Sequence, residues 1–222
     1  MTRLLFSLFA LLFTVGVFAQ RIADPQAKAI LDKMKVRYES YATLGADFTL
    51  LLDIPGEDLI TQKGQLRQDG DKFRLDLEEQ AIISNGETVW LYLKNNQEVQ
   101  INDAEFDEEA ADAFMSPKDL LQIYERGDMD YALTNEMPVN GRVVQQVEFK
   151  PLDREESEYS KLRLTVDKKT LDIVSVVAFG KDGSRYTFEL DALRPNERYT
   201  ATDFEWQTSE CPDCYVEDLR ID

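Results

Sequence analysis

The chain has 222 residues, with 25 Lys and Arg against 43 Asp and Glu, a formal charge of −18 and no histidine. A surface of that sign repels nucleic acid and anionic head groups, so neither is expected as a partner. The commonest general base and transition-metal ligand is missing, and two cysteines are too few for a closed zinc site, so no metal or other cofactor is expected.

Residues 1–19 read as a secretory signal peptide: Arg3 in a positive n-region, an apolar run from Leu4 to Phe18, and small residues before a cleavage point after Ala19. The run is about 15 residues, short against the ~20 that span a bilayer. The expectation is a soluble chain on the far side of a membrane, folded as one domain over residues 20–222.

Asp24-Pro25 opens a helix, with Asp24 as N-cap and Pro25 at the first helical position. Ala27, Ile30, Leu31, Met34 and Tyr38 then form one apolar stripe through about residue 41. From Ala46 the period changes to two. Ala46, Phe48, Leu50, Leu52 and Ile54 alternate with Asp47, Thr49, Leu51 and Asp53 up to the turn at Pro55-Gly56, and Leu59 to Gln68 is a less regular strand. Phe73, Leu75 and Leu77 mark the next strand. Two apolar runs then flank Asn85-Gly86, which predicts a type I′ hairpin. The second run is apolar on both faces, with Val89, Leu91 and Leu93 on one and Trp90 and Tyr92 on the other, so it needs cover on both sides.

Residues 103–128 interrupt the strands with two short helical patterns. One holds Phe106, Phe114 and Met115. The other opens at Ser116-Pro117, carries Leu120 and Leu121, and ends at Gly127. Strands resume from Tyr131, with a second type I′ signal at Asn140-Gly141, and run through Leu162, Leu164, Val176 and Phe188 to a less regular tail. The tail holds the only cysteines, Cys211 and Cys214, which could be bridged as a structural clip or left as two thiols; nothing helical follows to make a redox site.

About ten or eleven strands at hairpin spacing, one N-terminal helix and an inserted helical pair predict an α+β, mainly β fold. A sheet that long curls, giving a strongly curved antiparallel half-barrel, unclosed, with the helices across its opening. Periodicity does not separate a concavity filled by its own side chains from one open to a ligand, and taken alone it favours the filled core.

Several motifs, in order, resemble the periplasmic outer-membrane lipoprotein carrier family, LolA. They are Leu44-Gly45-Ala46-Asp47-Phe48-Thr49, Lys63-Gly64-Gln65-Leu66, Lys72-Phe73-Arg74-Leu75, and above all Ser84-Asn85-Gly86-Glu87-Thr88-Val89-Trp90-Leu91-Tyr92. The resemblance implies an apolar cavity under a helical lid. Its task would be to shelter the acyl chains of lipoproteins between an inner-membrane lipoprotein-releasing ABC transporter and an outer-membrane acceptor. The carrier would be a monomer and not an enzyme. Alternation and the resemblance together nominate Phe48, Leu50, Leu52, Phe73, Leu75, Trp90 and Tyr92 as cavity lining. From the lid they nominate Phe106, Phe114, Met115, Leu120 and Leu121. The family's lid-latching arginine has no counterpart in the turn Gln68-Asp69-Gly70-Asp71, and neither Arg67 nor Arg74 can be assigned that role. A related binding module for another amphiphile, such as a glycolipid or a pigment or lipid precursor, is the main alternative. A secreted hydrolase is disfavoured, since no Gly-x-Ser-x-Gly elbow, His-Glu-x-x-His or phosphate loop is present.

Overall fold

In the computed structural model, residues 24–104 and 123–220 are described. The expected signal peptide and the five nominated lid residues lie outside them. The first described element is helix α1 (Pro25–Glu39), and the Asp24 carboxylate accepts from the Gln26 backbone N–H as anticipated. All five residues of the predicted stripe, Ala27, Ile30, Leu31, Met34 and Tyr38, are buried.

Among the described residues, twelve strands follow in one sheet. The first six, β1 (Thr43–Asp53), β2 (Ile60–Asp69), β3 (Lys72–Asp76), β4 (Gln80–Ser84), β5 (Thr88–Leu93) and β6 (Glu98–Asp103), form a meander. A short helix, α2 (Ile123–Arg126), then ends before Gly127, whose φ of +76° suits a helix terminus. The chain resumes at the far edge with β7 (Met129–Val139) and returns through β8 (Arg142–Pro151), β9 (Tyr159–Asp167) and β10 (Ile173–Gly180). Strand β11 (Arg185–Pro195) then pairs with β1 in the middle of the sheet. The last strand, β12 (Tyr215–Asp218), pairs parallel with β6. Strands β7 and β12 are the two edges, so the curved sheet does not close.

Two expectations need correction. The tail adds a strand to the ten or eleven read by alternation, because β12 is held to β6 by backbone pairing rather than by an apolar pattern. The hairpin at Asn85-Gly86 is not type I′: only Gly86 has positive φ, while the Asn85 side chain accepts from the N–H groups of Glu87 and Thr88. At Asn140-Gly141 both residues do have positive φ, 48° and 80°, as a type I′ turn requires.

The face of the sheet that carries α1 is termed the inner face. Under α1 it is made of Tyr131, Val147, Phe149, Leu162, Leu164, Val166 and Ile173, all buried. Asp24 ties the helix to strand β7: its N–H donates to the Tyr131 carbonyl and its carboxylate accepts from the Leu133 N–H. Tyr38 adds a second tie, its hydroxyl accepting from the Ile173 N–H at 3.0 Å.

Candidate functional site

Beyond the footprint of α1, the inner face carries a further apolar patch. Cross-strand register places Phe48, Leu50 and Leu52 of β1 on it, beside Leu190, Phe188 and Tyr186 of β11. Ala46 pairs with Leu66, Leu66 with Leu75, Leu75 with Ile82 and Ile82 with Leu91, one continuous row over five strands. Phe48 and Leu75 are fully covered, whereas Leu50, Leu52, Phe73, Ile82, Leu91 and Phe188 are only partly buried. Gly64 is needed here. A Cβ at that position would lie 2.2 Å from the Phe48 ring, so the missing side chain lets the ring lie over β2 and reach Phe188, with centroids 5.0 Å apart.

The row at one end of this face, Tyr186, Leu52 and Ile60, is open: Ile60 is 41% and Tyr186 38% exposed, and Leu59 next to it is 60% exposed. Tyr159, 37% exposed, stacks edge-on against Tyr186. Contiguous large apolar side chains left in water mark a surface that a ligand or partner covers. Two depressions are also present. One, of about 430 Å³, reaches Phe48, Gly64 and Leu77 and is rimmed by Asp47, Lys63, Gln65, Asp76, Glu78 and Asp191. The other, of about 490 Å³, is bordered by Arg142, Gln146, Thr165, Ser175 and Glu189.

Of the nominated lining residues, Phe48, Leu50, Leu52, Phe73 and Leu75 share the inner face, but Trp90 and Tyr92 do not. Trp90 pairs with Ile83 and Ile83 with Arg74, while Tyr92 pairs with Ala81 and Ala81 with Asp76. Both aromatic rings therefore stand on the outer face. Alternation along β5 defines two apolar sets without saying which faces α1, and the pairing of Leu91 with Ile82 decides it. Reading the sequence missed Leu66, Ile82, Leu91 and Phe188 as members; the Tyr186/Phe188/Leu190 alternation was the available signal for the last.

The outer face near Trp90 is covered by the C-terminal arm, residues 196–214. The Asn196 N–H donates to the Thr43 carbonyl, and the space above Gly45 is filled by the Tyr199 hydroxyl. Arg67 pairs with Asp203 at 3.6 Å, and Phe204 is fully buried. Arg74 forms a double fork, donating to Asp76 and, at 3.1 and 2.7 Å, to both carboxylate oxygens of Glu210. Burial pushes the Glu210 carboxyl up, but hydrogen bonds from Arg74 and the Gln207 N–H outweigh it and hold the group below its ordinary value. Arg67 and Arg74 thus fasten the arm from outside and face away from the side α1 occupies. Cys211 and Cys214 are joined in a disulfide directly after Glu210.

Among the described residues, a twelve-stranded antiparallel-dominated sheet, unclosed, with α1 and α2 packed on one face, defines an open half-barrel protein of the mainly β class. A family model described as "-like: Uncharacterized protein" matches residues 71–210, more than half of the sequence, and the chain belongs to that family. Among solved structures, an uncharacterized conserved protein from Thermus thermophilus superposes with a TM-score of 0.56 at 11% identity, over 87% of this chain and 99% of that one. That likeness establishes a shared fold. Lower scores relate the chain to a LolA superfamily protein from Nitrosomonas europaea (0.40, 12% identity, 81% of this chain and 97% of that one). A putative outer membrane lipoprotein-sorting protein domain from Vibrio parahaemolyticus gives 0.42 at 16% identity, over 80% and 95% of the two chains. Scores this low carry neither a fold nor a function across. No curated protein matches the sequence.

Proposed function

We propose that the chain is a periplasmic carrier that shelters the acyl chains of lipoproteins on the open apolar half of its inner face. The observation that carries this reading is the unfinished cover among the described residues. Helix α1 buries one half of the face, while Leu50, Leu52, Phe73, Ile82 and Phe188 on the other half keep part of their surface, and the row ends in the exposed Ile60 and Tyr186. A strand face built only to be a core would not leave such side chains in water at its margin.

The energetics suit a carrier. Each methylene kept out of water contributes about 0.8 kcal/mol, so the chains of an acylated protein would cost on the order of tens of kcal/mol to expose between membranes. The site must hold them without locking them in. A broad floor of Phe, Leu and Ile offers many weak contacts and no single directional bond, which suits that need. The LolA-like motifs around Ser84–Tyr92 and Leu44–Thr49 support the same reading. On this reading the partners are acylated lipoproteins, an inner-membrane releasing transporter and an outer-membrane acceptor, and the chain works as a monomer without catalysis.

Delipidated protein is expected to take up a triacylated peptide in preference to a free fatty acid, measured by native mass spectrometry. Equal uptake would favour a carrier of another amphiphile. Uptake of neither would reject lipid carriage altogether.

A further inference from the structure

The inner face changes character at the end opposite Ile60. There one cross-strand row runs Gln68, Phe73, Ser84, Val89, Asn102, across five strands from β2 to β6. Three of its five members are polar, on a face whose neighbouring row is Leu66, Leu75, Ile82 and Leu91. Asn102 is only 7% and Ser84 only 3% exposed.

Polar groups at such depth are normally hydrogen-bonded, because an unpaired one loses its water and gains nothing. Here two are unpaired. Asn102 Oδ1 and Gln68 Oε1 are buried and accept from nothing. The Gln68 amide is oriented by its own N–H, which donates to the Gly70 carbonyl at 3.3 Å, so the oxygen is the atom left over. Ser84 Oγ accepts from the Gly86 N–H at 3.2 Å, which leaves its hydroxyl proton free to donate. The two orphan oxygens are four strand spacings apart, roughly 19 Å along the sheet.

We infer that this row receives the head group of the bound amphiphile, and that the head group must bring hydrogen-bond donors, N–H or O–H, spread over an extended length. The inference rests on the proposed function and narrows its ligand. Two orphan acceptors repel a carboxylate, and an ester, which only accepts, leaves both unpaired. The backbone N–H groups of an acylated peptide, or the hydroxyls of a glycolipid, satisfy them. The tails then run along the strands toward the open end at Leu52 and Ile60. From Leu44, which pairs with Gln68, to Leu52 is eight residues of β1, about 26 Å, of which Leu44, Ala46 and Phe48 are buried and Leu50 and Leu52 keep part of their surface.

The test compares three ligands with the same palmitoyl chain, bound to delipidated full-length protein by calorimetry: an N-palmitoyl peptide amide, a palmitoyl glycolipid and palmitic acid methyl ester. Wild type is expected to bind one or both donor-bearing ligands at least tenfold more tightly than the ester. Asn102→Leu should lose about tenfold for the donor-bearing ligand, the worth of roughly one hydrogen bond, with ester affinity unchanged. Its melting temperature should not fall, since an unpaired buried oxygen is removed; a fall with unchanged ligand preference would show a structural role and overturn the inference. Gln68→Leu provides the same affinity readout from the other end of the row, although it also removes the bond to the Gly70 carbonyl, so its melting temperature is not part of the test. Preference for the peptide over the glycolipid identifies a lipopeptide head group, and the reverse a sugar. Equal binding of all three ligands overturns the head-group inference but leaves acyl carriage standing, whereas binding of none overturns both.

Discussion

Gly64 and Phe48 show how much one position can decide. The Phe48 ring occupies the space where a Gly64 side chain would be, with Leu77 Cδ2 only 2.9 Å from the same point. Gly64→Ala is therefore expected to cost about 1–3 kcal/mol through displacement of a buried ring, read as a lower urea midpoint with an unchanged slope. A midpoint equal to wild type would mean that β2 can shift away at no cost. Asp24 is a second such residue. It caps α1 and also accepts from the Leu133 N–H, and these two bonds, the latter first, hold its carboxyl below the ordinary value. Its role as cap was legible from Asp-Pro before an apolar stripe, but the bond to Leu133, 109 residues away, was not.

The element most exposed to test is the C-terminal arm. Its grip on the sheet depends on Arg74 meeting an ionised Glu210. Because the folded Glu210 titrates below its unfolded value, near 4.3, it adds stability above that pH, and the contribution is lost as pH falls through the lower folded value. The chain has two tryptophans: Trp206 in the arm and Trp90 on the face it crosses. Tryptophan emission should therefore shift below about pH 4, before far-UV dichroism changes, and Glu210→Gln should flatten that early step. Coincident transitions in wild type would mean the arm does not come away as a unit. At neutral pH, Arg74→Ala leaves the Glu210 carboxylate partly buried without its cation, and should destabilise by about 1–3 kcal/mol in thermal or urea melts.

For the molecule as a whole, binding should follow the open half of the inner face and not the half under α1. Leu50→Asp puts a charge in the middle of that floor without touching the helix-covered core, and should lower affinity for an acylated peptide at least tenfold while the protein stays folded by dichroism. Unchanged affinity would place the acyl site elsewhere. The charge of −18 belongs to this scale as well. It predicts association with a basic docking partner that slows steeply between low and physiological salt, and rates independent of salt would remove steering from the account.

Local chemistry in the chain was enough to define the strands, the capped helix and the turn at Asn140-Gly141, because alternation, N-caps and positive-φ dipeptides act over a few residues. Five of the seven sheet residues expected to line the cavity do share a face for the same reason: the two-residue period holds along any one strand. What alternation cannot convey is which face of one strand continues onto the next. Only cross-strand register placed Trp90 and Tyr92 on the side of the arm, brought β11 against β1, and assembled Gln68, Ser84 and Asn102 into one row. Register is a relation between distant segments, decided when the sheet pairs and α1 chooses a side, and no single stretch of sequence carries it.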